Sequence, residues 1–86
     1  MKILVVDDDI PSQRILGKYL KKHGYDTIFA TNGVDAIEIL AKDSITMIIT
    51  GLNMPIMGGI EFIEHVKSNP LLNTIPILVI TTDDRL

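Results

Sequence analysis

Residues 3–12 read ILVVDDDIPS, and the fold turns on them. Ile3 to Val6 is a short unbroken apolar run with β-branched residues, the pattern of a strand buried on both faces. Asp7, Asp8 and Asp9 end it abruptly. Pro11 suits the first turn of a helix, where its missing N–H costs nothing. From Ser12 to His23 the apolar positions are Ile15, Leu16, Tyr19 and Leu20, which is helical spacing with one apolar stripe. Gly24 stands where a C′ residue would stop that helix.

The alternation continues outward. Tyr25 to Ala30 is a second strand candidate, interrupted by Asp26 and Thr27. Asn32 and Gly33 read as a turn and helix entry, and Val34, Ala36, Ile37, Leu40 and Ala41 form a second helical stripe. Ile45 to Thr50 is a third strand. Gly51 to Gly59 is a loop holding three glycines and Pro55. Ile60, Phe62, Ile63 and Val66 begin a third helix, which Ser68, Asn69 and Pro70 end. Ile75 to Thr81 is a fourth strand, with Pro76 tolerated near its start. The order β-α-β-α-β-α-β predicts right-handed βαβ units and a parallel sheet.

Composition agrees and excludes several alternatives. Eighty-six residues make one small domain, 1–86, that buries a modest share of its surface. Hydrophobic residues are 47% of the chain and the mean hydropathy is +0.32, rich for so small a domain, while only 5% is aromatic. That mix favours buried strands with helices against them over a stacking platform for nucleic acid. Eight Lys and Arg against eleven Asp and Glu give a net charge of −3, so no nucleic-acid or membrane surface is indicated. Lys18, Lys21 and Lys22 share one predicted helix and read as its solvated face. There is no cysteine, which removes disulfides, thiol catalysis and cysteine zinc sites. No secretory leader pattern and no apolar run of membrane-spanning length is visible, so the expected compartment is the cytoplasm. No phosphate-loop or dinucleotide motif occurs. His23 and His65 lack metal-ligand spacing and are expected at the surface. Met54 and Met57 suit either a soft partner surface or loop packing.

In a parallel sheet, chemistry gathers at the carboxyl ends of the strands. Those ends are Asp7-Asp8-Asp9, then Thr50-Gly51-Leu52-Asn53, then Thr81-Thr82. Two adjacent carboxylates repel each other and resist burial, which a hard cation such as Mg²⁺ would resolve with oxygen ligands and water. The triplet equally suits a strand terminator that caps the helix before Pro11. The combination of ends is more specific. Val5-Val6-Asp7-Asp8, Leu52-Asn53-Met54-Pro55-Ile56-Met57 with Gly59, and Pro76-Ile77-Leu78-Val79-Ile80-Thr81 together resemble the response-regulator receiver family, the CheY-like domains. The resemblance runs through residues 2 to 82, and its most specific part, Asn53 to Gly59, is similar to the family's D-x-x-M-P-x-M-D-G loop.

The resemblance implies a flavodoxin-like α/β sheet with strand order 2-1-3-4. It implies phosphoryl transfer from a histidine kinase to one aspartate at the end of the third strand. An acidic pair, that aspartate and a backbone carbonyl would hold Mg²⁺, while a hydroxyl after the fourth strand and a lysine after the fifth would contact the phosphoryl group. On that pattern Asp7 and Asp8 match the acidic pair, Asn53 the carbonyl and Thr81 the switch hydroxyl. Pro55 and Gly59 match the shape-setting loop residues.

Two positions depart from the pattern. The phosphate-accepting aspartate falls on Gly51, and the aspartate after the second methionine falls on Gly58. Glycine is neither an acyl-phosphate nucleophile nor a side-chain metal ligand. Thr50 is adjacent, but neighbouring strand residues point to opposite faces. The sequence ends at Leu86, before the family's last helix-strand-helix and its lysine. The resemblance therefore implies a receiver cut short after its fourth strand, not an enzyme, with no required cofactor and weak Mg²⁺ binding at most. It would act through protein contacts, with a signalling protein such as a histidine kinase as partner. The rival expectation is a fragment whose main property is self-association; a third is active phosphotransfer through another residue. Without the last helix, alternate members of Ile3 to Val6 and of Met47 to Ile49 are expected to lose cover. Without a fifth strand, Ile77 to Ile80 is expected to be an open edge. A homodimer or higher oligomer would then form with Ile77, Val79 and the first helix near the contact, without nucleic acid or membrane.

Overall fold

The computed structural model describes residues 1–80. Four parallel strands, β1 (Lys2–Val6), β2 (Asp26–Ala30), β3 (Met47–Thr50) and β4 (Ile77–Val79), lie in the order β2-β1-β3-β4. They alternate with α1 (Ile10–Lys22), α2 (Gly33–Lys42) and α3 (Gly59–Ser68). This is the expected flavodoxin-like order 2-1-3-4, and Thr81 lies outside the described residues.

β1 sits at the centre, which is why its run of Ile and Val carries no polar alternation: Ile3, Leu4, Val5 and Val6 are all buried. Its register sets Ile3 beside Thr27 and Met47, and Val6 beside Ala30 and Thr50. On one side of the sheet Leu4, Val6 and Ile48 pack with Ala36 and Leu40 of α2 and Phe62 and Val66 of α3. On the other, Ile3, Val5 and Ile49 pack with Leu20 of α1, with Leu16 and Met47 at their margin.

That second cluster corrects one expectation. Ile3, Val5 and Ile49 are not left bare; they are 2%, 2% and 5% exposed. Leu16 and Leu20 reach across the strands and cover them, since helical side chains lean over the surface beside their own turn. The uncovered apolar surface lies instead at Leu78 and Ile80, beside the flank of α1 at Tyr19, which is 60% exposed. β4 is also shorter than its apolar run. Ile75 turns inward against the α2–α3 core, and the ladder begins where the Ile48 N–H donates to the Pro76 carbonyl at 2.9 Å. β3 likewise starts at Met47, because Ile45 is drawn into the core.

The helix ends follow local rules. Asp9 caps α1 by accepting from the Ser12 N–H at 3.1 Å, which places Pro11 in the first turn. Gly24, at φ 87°, ends the helix in the left-handed region that glycine adopts without strain. Asn32 caps α2 by accepting from the Asp35 N–H at 3.0 Å.

Candidate functional site at the carboxyl ends of the strands

The turn after β1 and the loop after β3 enclose a cleft of about 330 Å³. Asp7, Asp8, Gly51 and Asn53 line it together, as does Ile80 beyond the end of β4. The Gly51 N–H donates to the Val6 carbonyl at 2.8 Å and holds the two walls in register, while the Asp7 N–H ties the turn to the end of β2 by donating to the Ala30 carbonyl at 3.0 Å.

The three aspartates divide their work. Asp7 is half-buried and its Oδ1 accepts from the Asp9 N–H at 2.9 Å, which shapes the turn. Asp9 accepts from both the N–H and the hydroxyl of Ser12, so the capping half of the sequence reading belongs to Asp9. Asp8 is exposed and free to face a ligand. Asp7 and Asp8 both line the cleft, with Asn53 exposed on the opposite wall.

Gly51 stands at the mouth of β3 with space beside it. A β-carbon there would meet the Val6 carbonyl oxygen at 3.8 Å, the Ile80 carbonyl oxygen at 3.9 Å and Asp7 Cγ at 4.0 Å. All three are ordinary contacts, so the position points a side chain into the cleft beside Asp7 without crowding. Thr50 gives no substitute. It is fully buried, and its hydroxyl donates to the Gly51 carbonyl at 2.9 Å.

Gly59 is a different case. A β-carbon there would lie 2.2 Å from the Gly51 carbonyl oxygen and 2.8 Å from Leu52 Cα, both backbone atoms that cannot swing aside. The Gly59 N–H donates to the Leu52 carbonyl at 2.8 Å, so the start of α3 rests directly on the loop after β3. Between them Ile56 holds φ 69°, a costly conformation for a β-branched residue and a mark of a loop held by its surroundings. One such tie is the Gly33 N–H, which donates to the Met57 carbonyl at 2.9 Å. Met57 and Met54 pack, partly buried, against the core.

Gln13 was not anticipated. It is buried, and its Nε2 donates to the Asp7 carbonyl at 2.7 Å and to the Ala30 carbonyl at 3.1 Å. It ties α1 to the ends of β1 and β2 just behind the acidic pair. Its signal was available: Gln13 is in phase with Leu16 and Leu20 on the inward face of α1.

Comparison with known proteins places the arrangement. The family model of the response regulator receiver domain matches residues 3–86. The chain belongs to the response regulator receiver family. This receiver is 36% identical over 85 residues to a chemotaxis protein CheY homolog of Campylobacter jejuni, covering 96% of the chain and 65% of that protein. It is 41% identical over 85 residues to the chemotaxis protein CheY1 of Helicobacter pylori, covering 96% of the chain and 68% of that protein. The crystal structure of the signal receiver domain of a signal transduction histidine kinase from Syntrophus aciditrophicus superposes with a TM-score of 0.91 at 32% identity, over 98% of this chain and 65% of that one. The receiver thus spans 65% to 68% of the length of these relatives. It is a CheY-like module of two-component signalling. No described helix is long and apolar enough to cross a membrane.

Receiver domains typically bind Mg²⁺ at this acidic pocket, and the donors present here fit the ion incompletely. Asp7 has one oxygen engaged by the turn, Asp8 adds a second carboxylate, and position 51 adds none. Among the described residues no group of three or more His, Asp or Glu side chains converges on one point.

Proposed function

We propose that this receiver does not take a phosphoryl group at the usual position and signals through protein contacts. Gly51 carries the proposal: it directs an absent side chain into the cleft beside Asp7, where an acyl-phosphate nucleophile would have to stand. Asp7 and Asp8 then act as a preserved acidic rim with weak affinity for Mg²⁺, because affinity for a hard cation rises with the number of anionic oxygens. Thr81 would be a remnant of the phosphate site. The relatives point to histidine kinases and chemotaxis-type partners as the class of protein that would read this surface. The test is intact mass after incubation with a small phosphodonor and Mg²⁺. An unchanged mass is expected; a gain of one phosphoryl group would overturn the proposal.

A second role, self-association, is supported by β4. Among the described residues it pairs only with β3, and Leu78, Val79 and Ile80 are 48%, 42% and 41% exposed. By ladder alternation the backbone groups of Ile77 and Val79 face away from β3, since the Pro76 carbonyl and the Ile80 N–H are the ones bonded to it. An apolar groove of about 280 Å³ runs from Leu78 and Ile80 to Leu16 and Tyr19 of α1. Joining two β4 edges would satisfy both features. For the 86-residue chain, light scattering should give at least a dimer at micromolar concentration, and Val79→Lys should shift it toward monomer. A monomeric mass before the substitution would remove this role.

A further inference from the structure

The opposite edge of the sheet carries a second, unrelated surface. β2 is the outer strand, and its ladder with β1 uses every second residue: the Asp26 N–H donates to the Met1 carbonyl at 3.1 Å, and the Ala30 carbonyl accepts from Asp7. By the regular alternation of a parallel ladder, the N–H and C=O groups of Thr27 and Phe29 face outward. Between this edge and α1 lies a groove of about 540 Å³. Its floor is apolar. Phe29 runs under α1 at Gly17, where a β-carbon would come within 2.7 Å of the ring, and Phe29 and Ile15 remain 39% and 73% exposed. Its rim is basic. Arg14, Lys18 and Lys21 line it at i, i+4 and i+7 of one helix face, opposed by the single carboxylate of Asp26.

Those three cations need an account, because the chain as a whole is acidic at −3. None of them belongs to an ion pair among the described residues, where the one salt bridge joins Lys2 to Asp43 at 3.2 Å. Sequence reading left Lys18 and Lys21 as solvated surface; the tertiary structure sets them over an open strand edge. We propose that the α1–β2 groove binds an extended acidic segment of a partner protein, added as a fifth strand beside β2. Outward amide and carbonyl groups recognise another polypeptide backbone, which selects protein over nucleic acid. Every second side chain of an added strand falls on the α1 side, where aspartates or glutamates meet the Arg14, Lys18 and Lys21 stripe. A second copy of this chain is a poor occupant, since two β2 edges joined symmetrically would set two stripes of like charge side by side.

The experiment is a titration of the ¹⁵N-labelled 86-residue chain with a capped peptide of alternating aspartate and valine, followed by amide chemical shifts. Saturable shifts centred on β2 and the outer face of α1 are expected, weakening with added salt. Lys18→Glu with Lys21→Glu should weaken binding by about tenfold or more, because both positions are exposed and reverse the rim charge without entering the core. Thr27→Pro removes one outward N–H while sparing the β1 ladder and should abolish the shifts. A control peptide with lysine in place of aspartate should not bind. The proposal is overturned by the absence of a saturable shift, by equal binding of the lysine peptide, or by shifts centred on Asp7 and Asn53. Unchanged affinity in the double charge reversal would overturn it even if Thr27→Pro failed to fold.

Discussion

Among the described residues, nine are buried in one cluster on the α2–α3 side of the sheet, with Phe62, Leu4, Ile48 and Val66 at its centre; on the α1 side four are, Ile3, Val5, Leu20 and Ile49. Two helices close the first face, and a single helix closes the second. The thicker side is where stability is concentrated, because buried apolar area and dense packing scale together. The thinner side is where both proposed contact surfaces lie. Both flanks of α1 are grooved, one toward β2 with a basic rim and one toward β4 with an almost wholly apolar lining. The acid cleft sits at the end of the strands both faces share, so it draws rigidity from each.

Substitution of matched residues on the two faces tests the inequality directly. Phe62→Ala removes a fully buried ring and should cost about 3–5 kcal/mol, enough in so small a domain to lose a cooperative urea transition altogether. Leu20→Ala on the thin side should cost about 2 kcal/mol, at the low end for a buried leucine, because the adjoining groove lets neighbours settle inward. Equal losses in urea unfolding would show that the faces are equivalent after all.

Gln13→Ala probes the link between the faces and the cleft. The Asp7 and Ala30 carbonyls would lose their side-chain donor, costing about 1–3 kcal/mol. Amide exchange at Asp7 should accelerate more than at Phe62, because the loss is local to the strand ends. Asp9→Ala should cost about 1 kcal/mol through the lost cap, with fraying confined to the first turn of α1 by amide exchange. Gly51→Asp should have the smallest effect on stability, about 1 kcal/mol or less without metal, since the β-carbon has room. Calorimetry should show tighter Mg²⁺ binding than in the parent chain; unchanged affinity would mean that Asp7 and Asp8 are not placed to share a cation.

Much of this molecule was legible in its residues. The Ile3 to Val6 run, the acids after it and Pro11 dictated a central strand followed by a capped helix, because burial on both faces and the missing proline N–H leave few other arrangements. The Asn53 to Gly59 loop was equally readable, and the geometry supplies its reason: Gly59 touches backbone and admits no side chain. The ends of β3 and β4 were less so. Ile45 and Ile75 have strand-like chemistry, but both are pulled into the α2–α3 core, which competes with the ladder for apolar side chains.

Local sequence determined the order of elements, their caps and the loss of a side chain at Gly51, since each depends on neighbours a few positions away. Only the tertiary structure brought the three aspartates into one cleft with Gly51 and Asn53, because that rests on where the loop after β3 stands relative to the turn after β1. It alone assigned Gln13 to the Asp7 and Ala30 carbonyls, which its side chain reaches only when α1 packs across the strand ends. It also set Lys18 and Lys21, read as part of a solvated face, beside Arg14 on the rim of a groove, because a helix face has meaning only against the strand edge beneath it.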